Sequence, residues 1–305
     1  MNIRVAIWGY GNLGKAIEQQ IINETTIKLV AIFSNQNNVK SPLDCPIYNK
    51  TTILNFKNKI DLLILCCGSK NNLVADLNFL CQHFNTINTF DNHKEIANLF
   101  MQIDKKSKAS NHISIISSGW DPGLFSYFKT MFYSILQTPC TTLWGKGVSL
   151  GHSNAVKQIA GVANAISFTI PCKTNPIKNS YHKRLVYVSK NKQVQKRNIK
   201  QQILNMPHYF KGQKVKIKFV SLNRLNKIKT FKHQGQVICS TKLNKLTLSA
   251  QMQSNPQFTA LIVLSYVRAF FKIKHKYLCG AYTPLHFSPL DLCVQSEIKS
   301  IKQFC

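Results

Sequence analysis

The chain has 305 residues, 44% of them hydrophobic, and 40 Lys or Arg against 11 Asp or Glu give a formal net charge of +29 at pH 7. That length and apolar content suit a soluble globular protein of two domains. The 10 cysteines form no C-x-x-C pair, which excludes a zinc ribbon and a disulfide framework and points to reduced thiols in the cytoplasm.

The N-terminal apolar stretch leads into a glycine turn without a cleavage region, so no secretory signal is expected. The apolar run Thr259 to Phe271 is interrupted by Arg268 and is too short to span a bilayer. The basic residues are spread along the chain among Asn and Ile. They read as a solvated surface that draws in anionic small molecules, and nucleic acid is an unlikely partner. The most basic window, Lys173 to Lys218, alternates Lys with Val and Ile as the wet face of a sheet would.

In chain order, Ile3 to Trp8 reads as a buried parallel strand running into Gly9-x-Gly11-x-x-Gly14, with helical spacing from Asn12 through Ile22. Strand, glycine turn and helix together make a dinucleotide-binding fingerprint. Gly9 permits the tight turn, Gly11 leaves room for a pyrophosphate, and Gly14 lets the helix lie close on the strand. The helix N-terminus, with Asn12 and Leu13, offers free N–H groups to phosphate.

Ile27 to Phe33 and Asp61 to Cys66 are the next strands, the latter ending at Cys67-Gly68-Ser69. A helix at about Asn72 to His83, a strand Thr86 to Phe90, a helix from His93 to about Lys106 and a strand His112 to Ser117 follow. This alternation predicts an α/β fold, a Rossmann-type doubly wound parallel sheet with ligands beyond the carboxyl ends of its strands.

After Asp121 the pattern changes. Leu124 to Gln137 is an amphipathic helix and Trp144 to Gly151 a loop. Strands are expected at Ile166–Ile170, Arg184–Val188, Val215–Val220, Gln236–Cys239 and Leu246–Gln251, with one helix at about Lys196 to Leu204. This is a second, α+β domain with a mixed or antiparallel sheet. A helix from Thr259 to Lys272 could return to the first domain. The expected division is 1–120 completed by 256–305 for the dinucleotide-binding domain, and 121–255 for the second.

Strand ends carry the candidate chemistry. After the second strand stand Ser34, Asn35 and Gln36, with neither the acid that reads a ribose 2′-hydroxyl nor the arginine that pairs with a 2′-phosphate. Lys40 lies within possible reach. Asp91, with Asn92 and His93, and Asp121, with Trp120, Pro122 and Gly123, fall at the ends of two predicted strands. Two carboxylates there could hold an ammonium beside a nicotinamide, or each could cap the helix that follows it.

Several segments share a pattern with a known family: Gly9-Tyr-Gly-Asn-Leu-Gly14, Thr89-Phe-Asp-Asn-His93, Ser118-Gly-Trp-Asp-Pro-Gly-Leu-Phe125, Trp144-Gly-Lys-Gly147, Gly151-His-Ser153, His182-Lys-Arg184, the run Met206 to Gly212, and Asn255-Pro-x-Phe258. Together they resemble the meso-diaminopimelate D-dehydrogenases over nearly the whole chain.

The resemblance implies a homodimeric, NADP-dependent enzyme that oxidatively deaminates the D-centre of meso-2,6-diaminopimelate, reversibly, in lysine biosynthesis. Its second domain would carry substrate ligands and dimer contacts. Asp91, Asp121 and Trp144 would then surround the D-amino centre. Thr169, Arg184, His233 and Asn255, with Leu150 and Gly151, would hold the distal L-amino acid end. Cofactor contacts would come from Gly9 to Gly14, Ser34 to Gln36, Cys67 to Ser69, Asp91 to His93 and Trp120 to Gly123. No metal is implied.

Three places depart from the family pattern. Asn35 and Gln36 replace a usual basic pair, which leaves NADP versus NAD open. Leu150 stands where a polar or Met side chain is common, and 172–181 is shortened. Two other readings stay open: a related oxidoreductase on another amino or keto acid, and a non-catalytic basic nucleotide- or nucleic-acid-binding protein.

Overall fold

A computed structural model of the chain describes residues 2–36, 39–68, 72–172, 182–191, 193–207, 209–228, 233–273 and 278–305. It divides into two compact units, Met1–Thr130 with Pro256–Cys305, and Met131–Asn255.

The first unit is built on a seven-stranded sheet. Strands β1 (Ile3–Trp8) and β2 (Ile27–Phe33) have the bounds their apolar runs predict. Helix α1 (Asn12–Ile21) joins them, and a two-residue strand β3 (Ile47–Tyr48) adds to the far side of β2. Next come β4 (Leu62–Leu65), α2 (Leu73–Leu80), β5 (Thr86–Asn88), α3 (Ile96–Ala109), β6 (Ile113–Ile115) and α4 (Leu124–Leu136). The segment Gly280–Tyr282 pairs with β6, and every pairing in this sheet is parallel.

The spatial order places β1 between β4 and β2, so the chain direction reverses at the glycine turn, where ligands bind in such sheets. β4 is buried along its whole length, as a central parallel strand should be. Trp8, Phe33, Leu63 and Leu65 pack with Leu77, Leu80 and Ile103 of α2 and α3 on one face.

The predicted strands at 86–90 and 112–117 are shorter than expected. β5 stops at Asn88 because the Asn88 side chain takes over, accepting from the N–H of Phe90 at 3.0 Å. The backbone beyond β6 turns away at Ser117, whose φ is +60. β3 and the 3-10 turn Lys50–Phe56 carry no periodic apolar signal and were not predicted.

The second unit holds two small sheets where the sequence pattern suggested one. A mixed sheet contains β8 (Gly147–Val148), β9 (Val162–Pro171), β10 (His182–Lys190) and β11 (Val215–Phe219). An antiparallel sheet contains β7 (Thr141–Trp144), β12 (His233–Ser240) and β13 (Lys245–Met252). Short helices α5 (Leu150–Lys157), α6 (Lys196–Asn205) and α7 (Leu222–Asn226) accompany them. β8 and α5 occupy much of the stretch read as a loop, because its glycines and serines mask both periodicities.

Val156, Val186, Val188, Ile199, Ile203 and Phe210 form this unit's core. All 11 acidic residues of the chain lie outside 131–255, while more than half of its 40 basic residues lie inside. The long helix α8 (Asn255–Ile273) then buries Val263, Tyr266, Val267 and Phe270 in the first unit, and Arg268 pairs with Glu24 at 2.5 Å. No helix among the described residues is long and apolar enough to cross a membrane.

Candidate functional site

The three glycines differ in what surrounds them. Gly9 has φ +95, and a side chain there would begin 2.9 Å from Cys67 Sγ. A Cβ on Gly14 would lie 2.5 Å from the Gly9 carbonyl oxygen, so α1 rests directly on the turn. Gly11, by contrast, has nothing within 4 Å of its Cβ position. The open side of the turn therefore lies at Gly11, the N-cap of α1, and the first intrahelical bond is Lys15 N–H to Gly11 carbonyl. Backbone donors at Asn12 and Leu13 precede that bond, next to the open Gly11 position, which fits a pyrophosphate.

The turn is braced from below. Glu18 on α1 is fully buried and accepts from the hydroxyls of Tyr10 and Ser41 and from Leu43 N–H at 3.3 Å. This ties the turn to the chain that follows β2. At the end of β2, Ser34 is buried and its Oγ accepts from Gln36 N–H at 3.1 Å, while Asn35 and Gln36 are exposed.

At the end of β4, Cys67 closes against Gly9, with Gly68 next to it; Ser69 lies outside the described residues. Lys50, Asp76 and Trp8 gather on this cysteine, a cluster that sequence reasoning missed. Lys50 Nζ is 3.4 Å from Cys67 Sγ, 3.3 Å from Asp76 Oδ2 and 4.4 Å from the Trp8 ring centre. Trp8 Nε1 donates to the same Asp76 oxygen at 2.6 Å.

The structure brings the Asp121 segment to the Asp91 segment. Asp121 Oδ2 lies 3.6 Å from His93 Nε2, and its Oδ1 accepts from Lys129 Nζ at 3.2 Å. Its side chain is only 4% exposed. Glu95 stands at the N-cap of α3, and α4 begins on backbone bonds from Leu124 and Phe125 to the carbonyls of Gly119 and Trp120. Gly123, at φ +135, allows this tight loop, since a Cβ there would overlap the Gly119 carbonyl at 1.9 Å. Trp120 is buried against Phe125 and Phe258, so it shapes the loop from within. Asn88 anchors the same loop through its carbonyl, which accepts from Ser118 N–H and Oγ at 2.9 and 2.8 Å.

In the second unit, Arg184 and Thr169 are cross-strand partners on β10 and β9. The guanidinium donates to the Thr169 hydroxyl, to Gln213 Oε1 at 2.8 Å, and lies 3.2 Å from His182 Nε2. Arg184 is 8% exposed, and among the described residues no carboxylate pairs with it. Burial pushes the guanidinium down to about 10, and burial with the Arg184 charge brings His182 down to about 4. A buried cation held only by neutral acceptors needs an anion from outside this set.

Other predicted residues adjoin it. Gly147 pairs with Thr169, and burial and the nearby Arg184 charge depress His233, while the hydrogen bond its ring donates to the Val148 carbonyl opposes them. Trp144 pairs with Gly235 beside His233 and is half-buried, not a core residue. Gly151 opens α5, 3.8 Å from the Tyr209 ring at its Cβ position. The side chain of Leu150 and the shortened run 173–181 lie outside what the structure describes. Asn255 starts α8. His152 of the Gly151-His-Ser motif is structural: its ring bridges Ser149 Oγ at 2.8 Å and the Tyr209 carbonyl at 2.9 Å. His182, Gln213 and Lys129 were missed as partners of charged site residues, because only cross-strand register and helix phase bring them there.

Comparisons with known proteins show the family and the fold. Residues 119–254 match the family model of the diaminopimelic acid dehydrogenase C-terminal domain. The meso-diaminopimelate D-dehydrogenase of Lysinibacillus sphaericus is 34% identical over 92% of this chain and 92% of its own. That of Corynebacterium glutamicum is 30% identical over 94% of each. Among solved structures, C. glutamicum DAP dehydrogenase in complex with DAP superposes with a TM-score of 0.91 at 29% identity, covering 100% of this chain and 99% of that one. An engineered D-amino acid dehydrogenase bound to NADP+ gives 0.88 at 27%, with full coverage of both.

Proposed function

We infer the activity from the premise that this chain belongs to the meso-diaminopimelate D-dehydrogenase family. It is an NADP-dependent oxidoreductase. With water, it converts the D-centre of meso-2,6-diaminopimelate and NADP+ into L-2-amino-6-oxopimelate, ammonium, NADPH and a proton, reversibly, as a step in lysine biosynthesis.

The observation that carries this reading is Arg184. A guanidinium that is 8% exposed, hydrogen-bonded to Thr169 and Gln213 and facing no carboxylate among the described residues, suits one carboxylate of an amino-acid substrate. Thr169, His233, Asn255 and the backbone at Gly151 add hydrogen bonds to that distal amino-acid end in our reading. Asp91 and Asp121 hold the reacting ammonium. Lys129 and His93 fix the Asp121 carboxylate, so it meets the ammonium in one orientation.

The glycine turn, the N–H groups at Asn12 and Leu13, and the residues after β2 and β4 would hold NADP. When bound, the cofactor accepts the α-hydrogen as hydride. What the protein contributes is position: the two carboxylates of the first unit hold the ammonium, and the guanidinium of the second holds a carboxylate. Loss of one ammonium proton to water and of the hydride leaves an iminium at the substrate carbon, and water adds there to release ammonium. We further propose a homodimer with the second unit carrying substrate and dimer contacts, and a cytoplasmic location.

The test is cofactor reduction with meso-diaminopimelate, run with NADP and NAD separately. Turnover of the meso but not the L,L isomer is expected. No reduction with either cofactor overturns the reading.

A further inference from the structure

The stretch Ser34 to Val39 carries no basic residue, and the lysine that follows it, Lys40, is exposed. The structure brings a cation to that place by another route. β3 pairs with β2 at Phe33 and Tyr48, and Ser34 N–H donates to the Tyr48 carbonyl at 2.9 Å. Lys50 therefore leaves the sheet two residues beyond the partner of Phe33, beside Ser34 and Asn35. Asn49 fixes its start, accepting from Thr51 N–H at 3.0 Å and capping the 3-10 turn.

From there the Lys50 side chain does not run out to solvent. It reaches back over the end of β2 to Trp8 at the end of β1 and Cys67 at the end of β4. Its ammonium rests on the Trp8 ring, and the thiol it touches adjoins Gly9, the first glycine of the turn. Asp76 holds it at 3.3 Å, while that same oxygen takes a shorter bond, 2.6 Å, from Trp8 Nε1. The side chain keeps 21% exposure, so it is anchored yet accessible. A third ammonium proton stays available beyond the bonds to Asp76 and Cys67.

We propose that Lys50 is the specificity-determining residue for the 2′-phosphate of the cofactor, supplying from beyond the neighbouring strand a charge that Ser34 to Val39 do not carry. Ser34, whose Oγ already accepts from Gln36, would donate its proton to the same phosphate. This rests on the NADP reading above.

The experiment measures dissociation constants for NADP and NAD by titration calorimetry, without substrate, for the wild type and for Lys50→Met, Lys50→Arg and Asp76→Asn. Lys50→Met is expected to weaken NADP by about tenfold or more and NAD by less than about twofold, the size of one charge-assisted contact. Lys50→Arg should restore most of the NADP affinity. Asp76→Asn should leave the ratio of the two constants near wild type, because the lysine stays over Trp8. Equal weakening of both cofactors by Lys50→Met, or the same change of ratio in Asp76→Asn, would make Lys50 a structural plug and overturn the proposal. Failure of the wild type to bind either dinucleotide would instead sink the cofactor reading.

Discussion

Arg184 and Thr169 face each other across the β9–β10 ladder, and the guanidinium donates to the threonine hydroxyl. Cross-strand register thus fixes a charged group where packing alone would exclude one. The cost is visible in the guanidinium's own proton affinity, lowered by burial to about 10.

Replacing Arg184 should separate function from stability. Arg184→Met removes the anion partner and should lower kcat/KM for meso-diaminopimelate by about 100-fold or more. Stability should not fall by more than about 1 kcal/mol, since taking out an unpaired buried charge offsets the lost hydrogen bonds. Thermal unfolding beside steady-state kinetics checks both. Strong destabilisation would mean the guanidinium serves the fold.

His182 makes the fold acid-sensitive. It binds its proton less tightly when folded, at about 4 against an ordinary 6.5. Between those values the unfolded chain takes up a proton that the folded one refuses, so stability falls as pH drops through this window. The loss should be on the order of 2 kcal/mol and complete below the folded value. Denaturant melts from pH 7 to pH 4 should show this limb in the wild type and a flatter one in His182→Gln.

Asp121 should matter to turnover and little to folding. Asp121→Asn keeps an acceptor for Lys129 but loses the charge that holds an ammonium. A fall in kcat/KM of about 100-fold or more is expected, with unchanged circular dichroism. Near-normal activity would remove Asp121 from the site.

Two glycines of the turn should respond in opposite ways. Gly14→Ala puts a methyl 2.5 Å from the Gly9 carbonyl and should cost about 2 kcal/mol. Gly11→Ala meets nothing within 4 Å and sits at φ −87, a conformation alanine accepts. Its melting temperature should hold or rise, while NADP affinity drops by about tenfold as the methyl enters the phosphate space. Calorimetry on both variants separates the two effects.

Much of this was legible in the sequence where pattern and chemistry coincide. β1, Gly9 to Gly14 and α1 could be read because each glycine has a distinct steric duty. Arg184 and Thr169 became site candidates only through the family pattern, since a lone Arg on a strand reads as solvated. Lys50 was invisible: it follows a two-residue strand with no periodicity, and its position comes from a parallel pairing that no local pattern encodes. The small glycine-rich span from Trp144 to Gly151 hid β8 and α5 for a similar reason. His182, Gln213 and Lys129 gain meaning only from the ions they touch.

The absence of any acidic residue from 131–255 has one more consequence for Arg184. In most proteins a buried guanidinium is at risk of capture by a nearby glutamate or aspartate swinging in, which would compete with the ligand and blunt affinity. Nothing in this stretch of chain can play that competitor. The anion seat at Arg184 is thus kept open by composition within this stretch, and the sensitive mutations there become those that introduce an acid. A single Gln213→Glu change is enough to create a resident inhibitor.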